Sequence, residues 1–378
     1  MHRAVGHAVL LVTDSVRRTG VTRGAGYDQG MISVVIPTFR RHSSLARTLR
    51  AIALQTLPPR EVIVVTGDAD SDAIIAVALD AGQRVTVLES VPGVCVQRNL
   101  GIGYARSRYI WLCDDDIEAP ANYLEHIAQF LATNPADGAV TGMISEPDAQ
   151  GEWQSQYRLQ GERSLVVHWV FQLSIWGELP PAERLGPIGR YACARLQSAG
   201  NGLSAAGWPR NVSFAGPVMR AAVYGLGAAV VRRDWLLASP YDPELDTRGI
   251  GDNYGVAMGM PGALPPQPDW NNPRARSGAV ASAPLRGRPP IAVLTNLAVK
   301  HHKSPEGRWD ELDAHRLRTL ALARFLRARQ DYSWRLGTWL VWSIIGLASA
   351  ALMRGRFGRA LLNLRLAGST VWLLSART

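Results

Sequence analysis

The chain has 378 residues, of which 47% are hydrophobic and 19% are charged. This length accommodates one large domain or two ordinary ones, and this composition predicts a packed core, which excludes a disordered chain. The formal net charge of +10 is compatible with nucleic acid, anionic lipid or phosphorylated ligands. The aromatic residues do not alternate with basic ones as a base-stacking surface requires, so we expect no nucleic-acid partner.

Three cysteines, Cys95, Cys113 and Cys193, have no metal-ligand spacing and are odd in number. They predict buried thiols in a reducing compartment, and therefore a cytoplasmic protein. Residues 1–30 are interpreted as an N-terminal extension outside the fold, because their apolar run Ala8–Val12 is too short and too weak for a secretory signal.

Strands and helices alternate in the pattern from Met31 onwards. The predicted elements are a strand from Ile32 that ends near Pro37, a helix over Ser43–Leu57, a strand over Glu61–Val65, a helix over Ala73–Ala81, a strand over Arg84–Glu89, a helix entered from the loop Pro92–Gly101, and a buried strand over Tyr109–Cys113. Such alternation indicates an α/β sheet of mostly parallel strands. Ligands of such sheets bind at the carboxyl ends of the strands.

Three carboxylates, Asp114, Asp115 and Asp116, directly follow the buried strand Tyr109–Cys113. Their mutual repulsion favours a hard divalent cation, because Mg²⁺ and related ions prefer carboxylate oxygen. Two of them can hold one ion, or one can hold the ion while another accepts a ribose hydroxyl. The alternative is an acidic surface loop that happens to follow a strand.

Four motifs in order now carry a resemblance: Val-Val-Ile-Pro-Thr-Phe-Arg-Arg, Glu-Val-Ile-Val-Val with an acidic loop, Gln-Arg-Asn-Leu-Gly, and Asp-Asp-Asp. Together they resemble the family 2 glycosyltransferases. The resemblance implies a GT-A fold, a nucleotide-sugar donor, inversion at the anomeric carbon, and Mg²⁺ or Mn²⁺ as cofactor. The donor-binding residues that it implies are Pro37, Thr38, Arg40, Asp68, Arg98, Asp114 and Asp115, and the implied metal ligand is Asp116. Thr66 stands where the family usually has Asp after the second strand, so the base contact moves to Asp68 or Asp70.

Two stretches further along, Gly225–Asp234 and Tyr241–Asn253, resemble the second half of the same family. The family's acidic pair is Glu-Asp, and here it is Gly251-Asp252. Asp252 is therefore the predicted general base, since one carboxylate must take the proton of the acceptor hydroxyl. The alternative is that Asp252 caps a helix beginning near Asn253. Two further acidic residues, Asp246 and Glu244, are reserve candidates.

A late strand is predicted over Ile291–Val299, after an irregular proline-rich loop over residues 261–290. By the resemblance, His301 or His302 reaches the metal or the diphosphate, and Lys303 and Arg308 neutralise the leaving diphosphate. The tryptophan-rich middle of the chain is expected to shape the acceptor site. The acceptor is a glycan or a lipid-linked sugar.

The C-terminal segment predicts a helix over Glu311–Arg329, an uncharged run over Leu336–Met353 and an apolar stretch over Ala360–Leu374. The uncharged run has the minimum length for a membrane span, but arginines flank it on both sides, which disfavours a simple span. We predict attachment to the inner face of the cell membrane as an in-plane helix or a hairpin. A true span over residues 336–353 and a soluble packing helix remain alternatives.

These observations predict an inverting, metal-assisted glycosyltransferase, with a domain over residues 31–325 and C-terminal helices over residues 326–378. Residues 31–134 would form the donor half of the domain and residues 135–325 the acceptor half. One alternative is a catalytically inactive relative that binds membrane and partners. The other is a sugar-1-phosphate nucleotidylyltransferase, which fits less well because no glycine-rich phosphate loop with a following Lys lies near the first strand.

Overall fold

The structure is a computed structural model that describes residues 9–11, 31–148, 150–156, 159, 161–245, 252–260, 290–303, 310–328 and 333–375. The described strands are β1 Val9–Leu11, β2 Ile32–Thr38, β3 Glu61–Thr66, β4 Thr86–Glu89, β5 Tyr109–Leu112, β6 Ile117–Glu118, β7 Ala139–Pro147, β8 Trp153–Gln154, β9 Ile175–Trp176, β10 Gly202–Leu203, β11 Pro209–Asn211, β12 Val218–Ala221, β13 Val230–Arg232 and β14 Ile291–His301. The described α-helices are α1 His42–Ala53, α2 Ser71–Asp80, α3 Val94–Tyr104, α4 Tyr123–Thr133, α5 Gly161–Val170, α6 Pro187–Ala199, α7 Arg233–Ala238, α8 Asp252–Gly259, α9 Glu311–Ala328, α10 Trp334–Met353 and α11 Phe357–Ser375.

The chain divides into two compact units. The first comprises Met1–Ser155, Gly225–Thr247 and Asn296–Gly307, and the second comprises Gln156–Tyr224, Arg248–Thr295 and Arg308–Thr378. These units interleave along the sequence, whereas the predicted division placed its boundaries after residues 134 and 325. The division into a donor half and an acceptor half stays a prediction.

The first unit is built on a sheet with the strand order β1-β4-β3-β2-β5-β13-β7, and β14 lies beside β7. Four neighbouring strands, β4, β3, β2 and β5, run parallel. The next strand, β13, is antiparallel to both β5 and β7. Every residue of β2 is buried, as expected of a central strand covered on both faces. The predicted α/β class with a parallel centre is confirmed.

Helix α3 crosses β2 closely because Gly101 has no side chain. A Cβ atom on Gly101 would lie 2.4 Å from Cγ1 of Val35 on β2. This contact sets the distance of α3 from the sheet. It therefore also sets the position of the α3 side chains that lie near the strand ends, Gln97 and Arg98.

One part of the predicted N-terminal extension joins this sheet. Val9–Leu11 forms β1, which pairs antiparallel with Thr86–Leu88 of β4. The strand adds to the edge of the sheet, so these three residues do not lie outside the fold as the sequence had suggested. Residues 1–8 and 12–30 lie outside the described residues.

The second unit is mainly helical. One apolar cluster joins Trp208 to residues of α9, α10 and α11, among them Leu326, Leu340 and Leu366. A second cluster joins α5 and α6, around Leu165 and Leu196, to a small sheet with the strand order β10-β11-β9. The predicted C-terminal helices are thus part of a packed unit. Two of their six ends, Glu311 and Met353, coincide with the predicted ones, and the other four differ by one to three residues.

Candidate functional site

The loops that follow the parallel strands of the first unit are held together by one buried amide. Nε2 of Gln97, on α3, donates to the carbonyls of Thr38 and Val65, 2.7 Å from each. The amide N–H of Gly67 also donates to the carbonyl of Thr38 at 3.1 Å. The ends of β2 and β3 are therefore fixed against α3. The same helix carries Arg98, the next residue, into the region after β5.

Asp114 is placed by a buried arginine and by a glycine. Nη2 of Arg98 donates to Oδ1 of Asp114 at 2.5 Å, and the guanidinium of Arg98 lies 5.0 Å from the ring centre of Tyr241. The backbone N–H of Asp114 donates to the carbonyl of Gly227 at 2.9 Å. A Cβ atom on Gly227 would lie 2.0 Å from Oδ2 of Asp114, so only glycine leaves room for this carboxylate.

Tyr241 in turn is anchored to the residue after Arg98. Nδ2 of Asn99 donates to the carbonyl of Tyr241 at 2.7 Å, and the N–H of Tyr241 donates to Oδ1 of Asn99 at 3.0 Å. This reciprocal pair fixes the aromatic ring under the guanidinium. The Gln-Arg-Asn motif thus acts as a unit in which Gln97 positions the strand ends, Arg98 meets the carboxylate, and Asn99 holds the ring.

Asp115 turns towards the end of β2 and is almost completely buried. Oδ2 of Asp115 accepts from the hydroxyl of Thr38 at 2.8 Å, and Oδ1 accepts from Nη1 of Arg41 at 3.1 Å. Burial raises the pKa of Asp115 to about 6, while Arg41 and Thr38 act in the opposite direction. The two bonds tie the fourth motif, Asp-Asp-Asp, to the first.

Asp116 lies on the other side of the motif, against β14. Oδ1 of Asp116 is 3.2 Å from Nε2 of His301, and Nδ1 of His301 is 3.0 Å from Oε1 of Glu146 on β7. The second oxygen of Glu146 is 2.5 Å from Nζ of Lys303. Burial disfavours the imidazolium of His301, but its bonds to Asp116 and Glu146 outweigh burial and raise the pKa of His301 to about 9.

Three of these side chains form a candidate metal centre. Ligand atoms of Asp114, Asp116 and His301 all lie within 4.8 Å of one another. Two carboxylates and one imidazole fit a divalent cation, and the presence of nitrogen in the set favours Mn²⁺ over Mg²⁺. A bound cation would displace the proton of His301, because a histidine binds metal in its neutral form. Glu146 holds the other ring nitrogen, as carboxylates commonly do for metal-bound histidines.

The structure separates the two histidines that the sequence left as alternatives. His302 is not a member of the group of possible ligands around Asp116. Its Nε2 lies 2.7 Å from Oε2 of Glu118, and its ring meets that of Trp153 edge-on at 5.1 Å. Only its backbone N–H contacts the centre, through a 3.0 Å bond to the carbonyl of Asp116. In this structure His301 is therefore the candidate ligand.

The predicted nucleoside-binding loops contact each other at the surface. Nε of Arg40 is 2.6 Å from Oδ2 of Asp68, and Nε2 of His42 is 2.7 Å from Oδ2 of Asp70. Arg40 has a φ of 57°, a conformation rare for non-glycine residues and frequent at ligand sites. Thr66, the residue that departs from the family pattern, donates to Oδ1 of Asp70 at 2.6 Å. Thr66 thereby orders the acidic loop.

The predicted base and its neighbours are described only in part. The backbone of Asp252 begins α8, so the helix starts one residue earlier than the sequence suggested. The side chain of Asp252 lies outside the described residues, as do Asp246 and Arg308. Glu244 is exposed, and its N–H donates to Oδ1 of Asp242. The choice between base and helix cap for Asp252 stays a prediction.

The predicted buried thiols are confirmed, since all three cysteines are free and buried. Cys113 directly precedes the triple aspartate, and burial together with the three carboxylates raises the pKa of its thiol. A thiol in this state is a poor nucleophile, so Cys113 has a packing role.

This arrangement defines a class: an α/β domain with two carboxylates and a histidine grouped beyond the parallel strands of its sheet. Residues 33–185 match the family model described as Glycosyl transferase family 2. The chain is 36% identical over 104 residues to the uncharacterized glycosyltransferase YwdF of Bacillus subtilis, covering 27% of this chain and 38% of that protein. It is 28% identical over 127 residues to the glycosyltransferase GlyG of Streptococcus pneumoniae, covering 32% of this chain and 42% of that protein.

A third curated relative is the glucosyl-dolichyl phosphate glucuronosyltransferase of Haloferax volcanii, 27% identical over 123 residues, 30% of this chain and 38% of that protein. The chain thus spans about two fifths of the length of the curated relatives it matches. Among solved structures, S. aureus TarS 1–349 in complex with UDP-GlcNAc is similar with a TM-score of 0.49 and 11% identity, covering 91% of this chain and 81% of that chain.

Proposed function

We propose that the protein transfers a sugar, with inversion, from a nucleoside-diphosphate sugar to a hydroxyl group of a glycan or lipid-linked acceptor. The observation that carries this proposal is the group Asp114, Asp116 and His301 at the carboxyl end of the parallel sheet. Carboxylates and a histidine at this place are what a diphosphate-bound cation requires. The matching family model and the three curated relatives, all named as transferases of sugars, support it.

In this proposal residues of all four motifs hold the donor. Thr38, Arg40 and Asp68 lie on the two loops that would enclose the nucleoside. Asp115 is too buried to meet a large ligand with both oxygens, and it positions Thr38 and Arg41 instead. The ion pair with Arg98 orients the carboxylate of Asp114. The side chain of Asp114 is 30% exposed, so it can still accept a hydrogen bond from a ribose or sugar hydroxyl.

A divalent cation at Asp114, Asp116 and His301 would stabilise the negative charge that develops on the leaving diphosphate. His301 is held in place for this role by Glu146. Lys303 is bonded to Glu146 and remains 39% exposed, so it could reach the diphosphate only by leaving that carboxylate.

The base is Asp252 in this proposal. It takes the proton from the acceptor hydroxyl while the acceptor oxygen forms a bond to the anomeric carbon. The bond between that carbon and the diphosphate oxygen breaks on the opposite face, which inverts the configuration. The nucleoside diphosphate leaves with the electron pair.

Two variants and one control test these assignments. Asp116→Asn should abolish the Mn²⁺-dependent part of nucleotide-sugar binding, and Asp252→Asn should leave donor binding nearly intact while removing transfer. Asp80→Asn, whose side chain is 71% exposed on α2, should change neither. Binding is read from the rise in melting temperature with nucleotide sugars, with and without Mn²⁺. Equal loss of donor binding in both variants would show that Asp252 is structural.

The two alternative functions give different results in the same preparation. If wild-type protein binds nucleotide sugars but neither hydrolyses nor transfers them with Mn²⁺ or Mg²⁺, it is an inactive binding protein. If it releases diphosphate from a nucleoside triphosphate and a sugar 1-phosphate, it is a nucleotidylyltransferase. Conversion of a nucleotide sugar to free nucleoside diphosphate is the result expected here.

We further propose that the reaction takes place in the cytoplasm, at the inner face of the cell membrane. The free buried cysteines fit a reducing compartment. Among the described residues, Trp334–Met353 is the one helix long and apolar enough to cross a membrane by length and composition. The faces of this helix and of its partner give a more specific indication.

A further inference from the structure

Helices α10 and α11 form a hairpin whose exposed faces are apolar. The helices are joined by Arg354, Gly355 and Arg356 and pack against each other within the second unit. Large apolar side chains at least one third exposed recur on α10 and α11 at spacings of three and four residues, which place them on one face of each helix. They are Trp334, Trp339, Trp342, Ile345, Leu352 and Met353 on α10, and Phe357, Leu361, Leu364, Val371 and Trp372 on α11.

The opposite, buried faces of the two helices carry polar groups. Oγ of Ser343 accepts a bond from Nε1 of Trp208 at 2.8 Å. Oδ1 of Asn363 is 2.6 Å from Nε2 of His315 on α9. Ser343 and Asn363 are almost completely buried, whereas Phe357 is 72% exposed. The same buried faces also contribute Leu340, Ile344 and Leu366 to the apolar cluster of the unit. Both faces of the hairpin therefore carry large apolar side chains, and the exposed ones are suited to contact with an apolar medium.

The hairpin also carries charge of one sign only. Between Ser333 and Ser375 the sequence contains five arginines and no Asp, Glu or Lys. Two of them, Arg354 and Arg356, lie in the exposed turn between the helices. Arginine near a membrane surface is attracted to anionic lipid headgroups, at about 1 kcal/mol for each residue. Tryptophan is the side chain most enriched at that interface.

We propose that the exposed faces of α10 and α11 insert into the headgroup region of an anionic membrane, with both helices parallel to the membrane surface. A single span by α10 is disfavoured because 44% of its apolar window is buried within the protein. Nε1 of Trp342 donates to the carbonyl of Val170 at 3.0 Å, and the backbone of Gly346 lies directly against Phe171. Crossing the membrane would break this packing.

A second copy of the chain is the rival occupant of this surface. Pairing two such hairpins would bring arginines of like sign together without carboxylates on the hairpin to offset them, which opposes association. An anionic lipid surface supplies that charge together with the apolar medium. Charge complementarity therefore favours lipid.

The test uses the full chain and sedimentation with vesicles, without any sugar donor, so its outcome is independent of the proposed function. Phe357→Ser and Trp372→Ser should each weaken binding to vesicles of phosphatidylcholine and phosphatidylglycerol by about tenfold, from the apolar area that each withdraws from lipid. Ile188→Ser is the matched control, because Ile188 is 65% exposed on α6 of the same unit. It should bind as wild type does.

The arginines are tested separately from the apolar side chains. The double variant Arg354→Gln and Arg356→Gln should lose binding to the anionic vesicles, by about fivefold per arginine, and should bind pure phosphatidylcholine as wild type does. Each variant must retain the wild-type melting temperature within a few degrees, and a variant that does not is replaced by Leu361→Ser or Leu364→Ser, both of which are half exposed.

Three results would overturn the proposal. Wild-type protein that does not sediment with anionic vesicles has no such surface. If light scattering shows that the wild-type protein is a dimer, that Phe357→Ser and Trp372→Ser dissociate it, and that the wild type does not bind vesicles, the surface belongs to a second copy of the chain. Protein that stays in cell membranes after alkaline carbonate extraction spans the bilayer.

Discussion

The glycine opposite the first carboxylate of the triple aspartate offers a sharp test of the site. A Cβ atom on Gly227 would lie 2.0 Å from Oδ2 of Asp114, and real contacts of this kind are not shorter than 3.0 Å. In the variant Gly227→Ala the carboxylate must therefore move by at least 3.0 − 2.0, about 1 Å, or the backbone must shift. Gly227 does not have a positive φ, so alanine meets only this steric conflict.

The consequence should appear mainly in metal binding. A carboxylate that turns away from Gly227 weakens its bond to Arg98 and no longer converges with Asp116 and His301. Loss of a group that orients a metal site typically costs 10- to 100-fold in affinity, about 1.4–2.7 kcal/mol. The cost in the free energy of unfolding should be similar in size or smaller, about 1–2 kcal/mol, because Asp114 is partly exposed and can relax.

The assay is Mn²⁺ titration by calorimetry, followed by the melting temperature with and without Mn²⁺. Gly103→Ala is the control, because nothing lies within 4 Å of a Cβ atom at that position on α3. It should keep the wild-type affinity and be unchanged or slightly more stable, since alanine favours a helix over glycine. Wild-type Mn²⁺ affinity in Gly227→Ala would refute the assignment of Asp114 to the metal site.

The remaining predictions concern packing and pH. Gln97→Leu should lower the free energy of unfolding by about 1–3 kcal/mol in denaturant titration, because the carbonyls of Val65 and Thr38 lose this donor, while that of Thr38 keeps another, the N–H of Gly67; an unchanged free energy of unfolding would contradict the role of this amide. Gly346→Ala should lower the free energy of unfolding by about 1–3 kcal/mol, because its Cβ atom would lie 2.2 Å from the ring of Phe171. Gly368→Ala is the control and should not lower it, because a Cβ atom at that position on α11 has no neighbour within 4 Å. Asp115 has a raised pKa of about 6 in the folded state, so its contribution to stability is largest below pH 4 and is lost as the pH rises through 6. Measured without divalent cations, the free energy of unfolding of wild type relative to Asp115→Asn should thus fall by up to about 3 kcal/mol between pH 4 and 7, and a pH-independent difference would count against a buried, titrating carboxyl.

Much of the first unit could be predicted from local patterns. Apolar β-branched runs that are buried on both faces are distinctive, so β2, β3 and β5 were placed within one or two residues. Parallel strands bring their carboxyl ends to one edge, and the triple aspartate after β5 was accordingly expected beside the loop after β2. The bond between Thr38 and Asp115 joins those two loops.

Other features depend on partners that are distant in the sequence and carry no local signal. Glu146 holds His301 across 155 positions, and no pattern around Glu146 marks it. Gly227 leaves space for the carboxylate of Asp114, and the ring of Tyr241 packs against the guanidinium of Arg98. Neither role is visible in the composition or the residue spacing of the sequence.

The sequence alone determined that this protein has a parallel α/β sheet with carboxylates at its strand ends. Both features are visible in short stretches of sequence, because a strand buried on both faces is a short apolar run and the charged residues directly follow it. Only the tertiary structure decided which histidine faces those carboxylates, since His301 and His302 are adjacent and differ only in whether Asp116 or Glu118 lies opposite. It likewise decided which face of the α10–α11 hairpin is exposed, because that depends on what Trp208 and His315 cover.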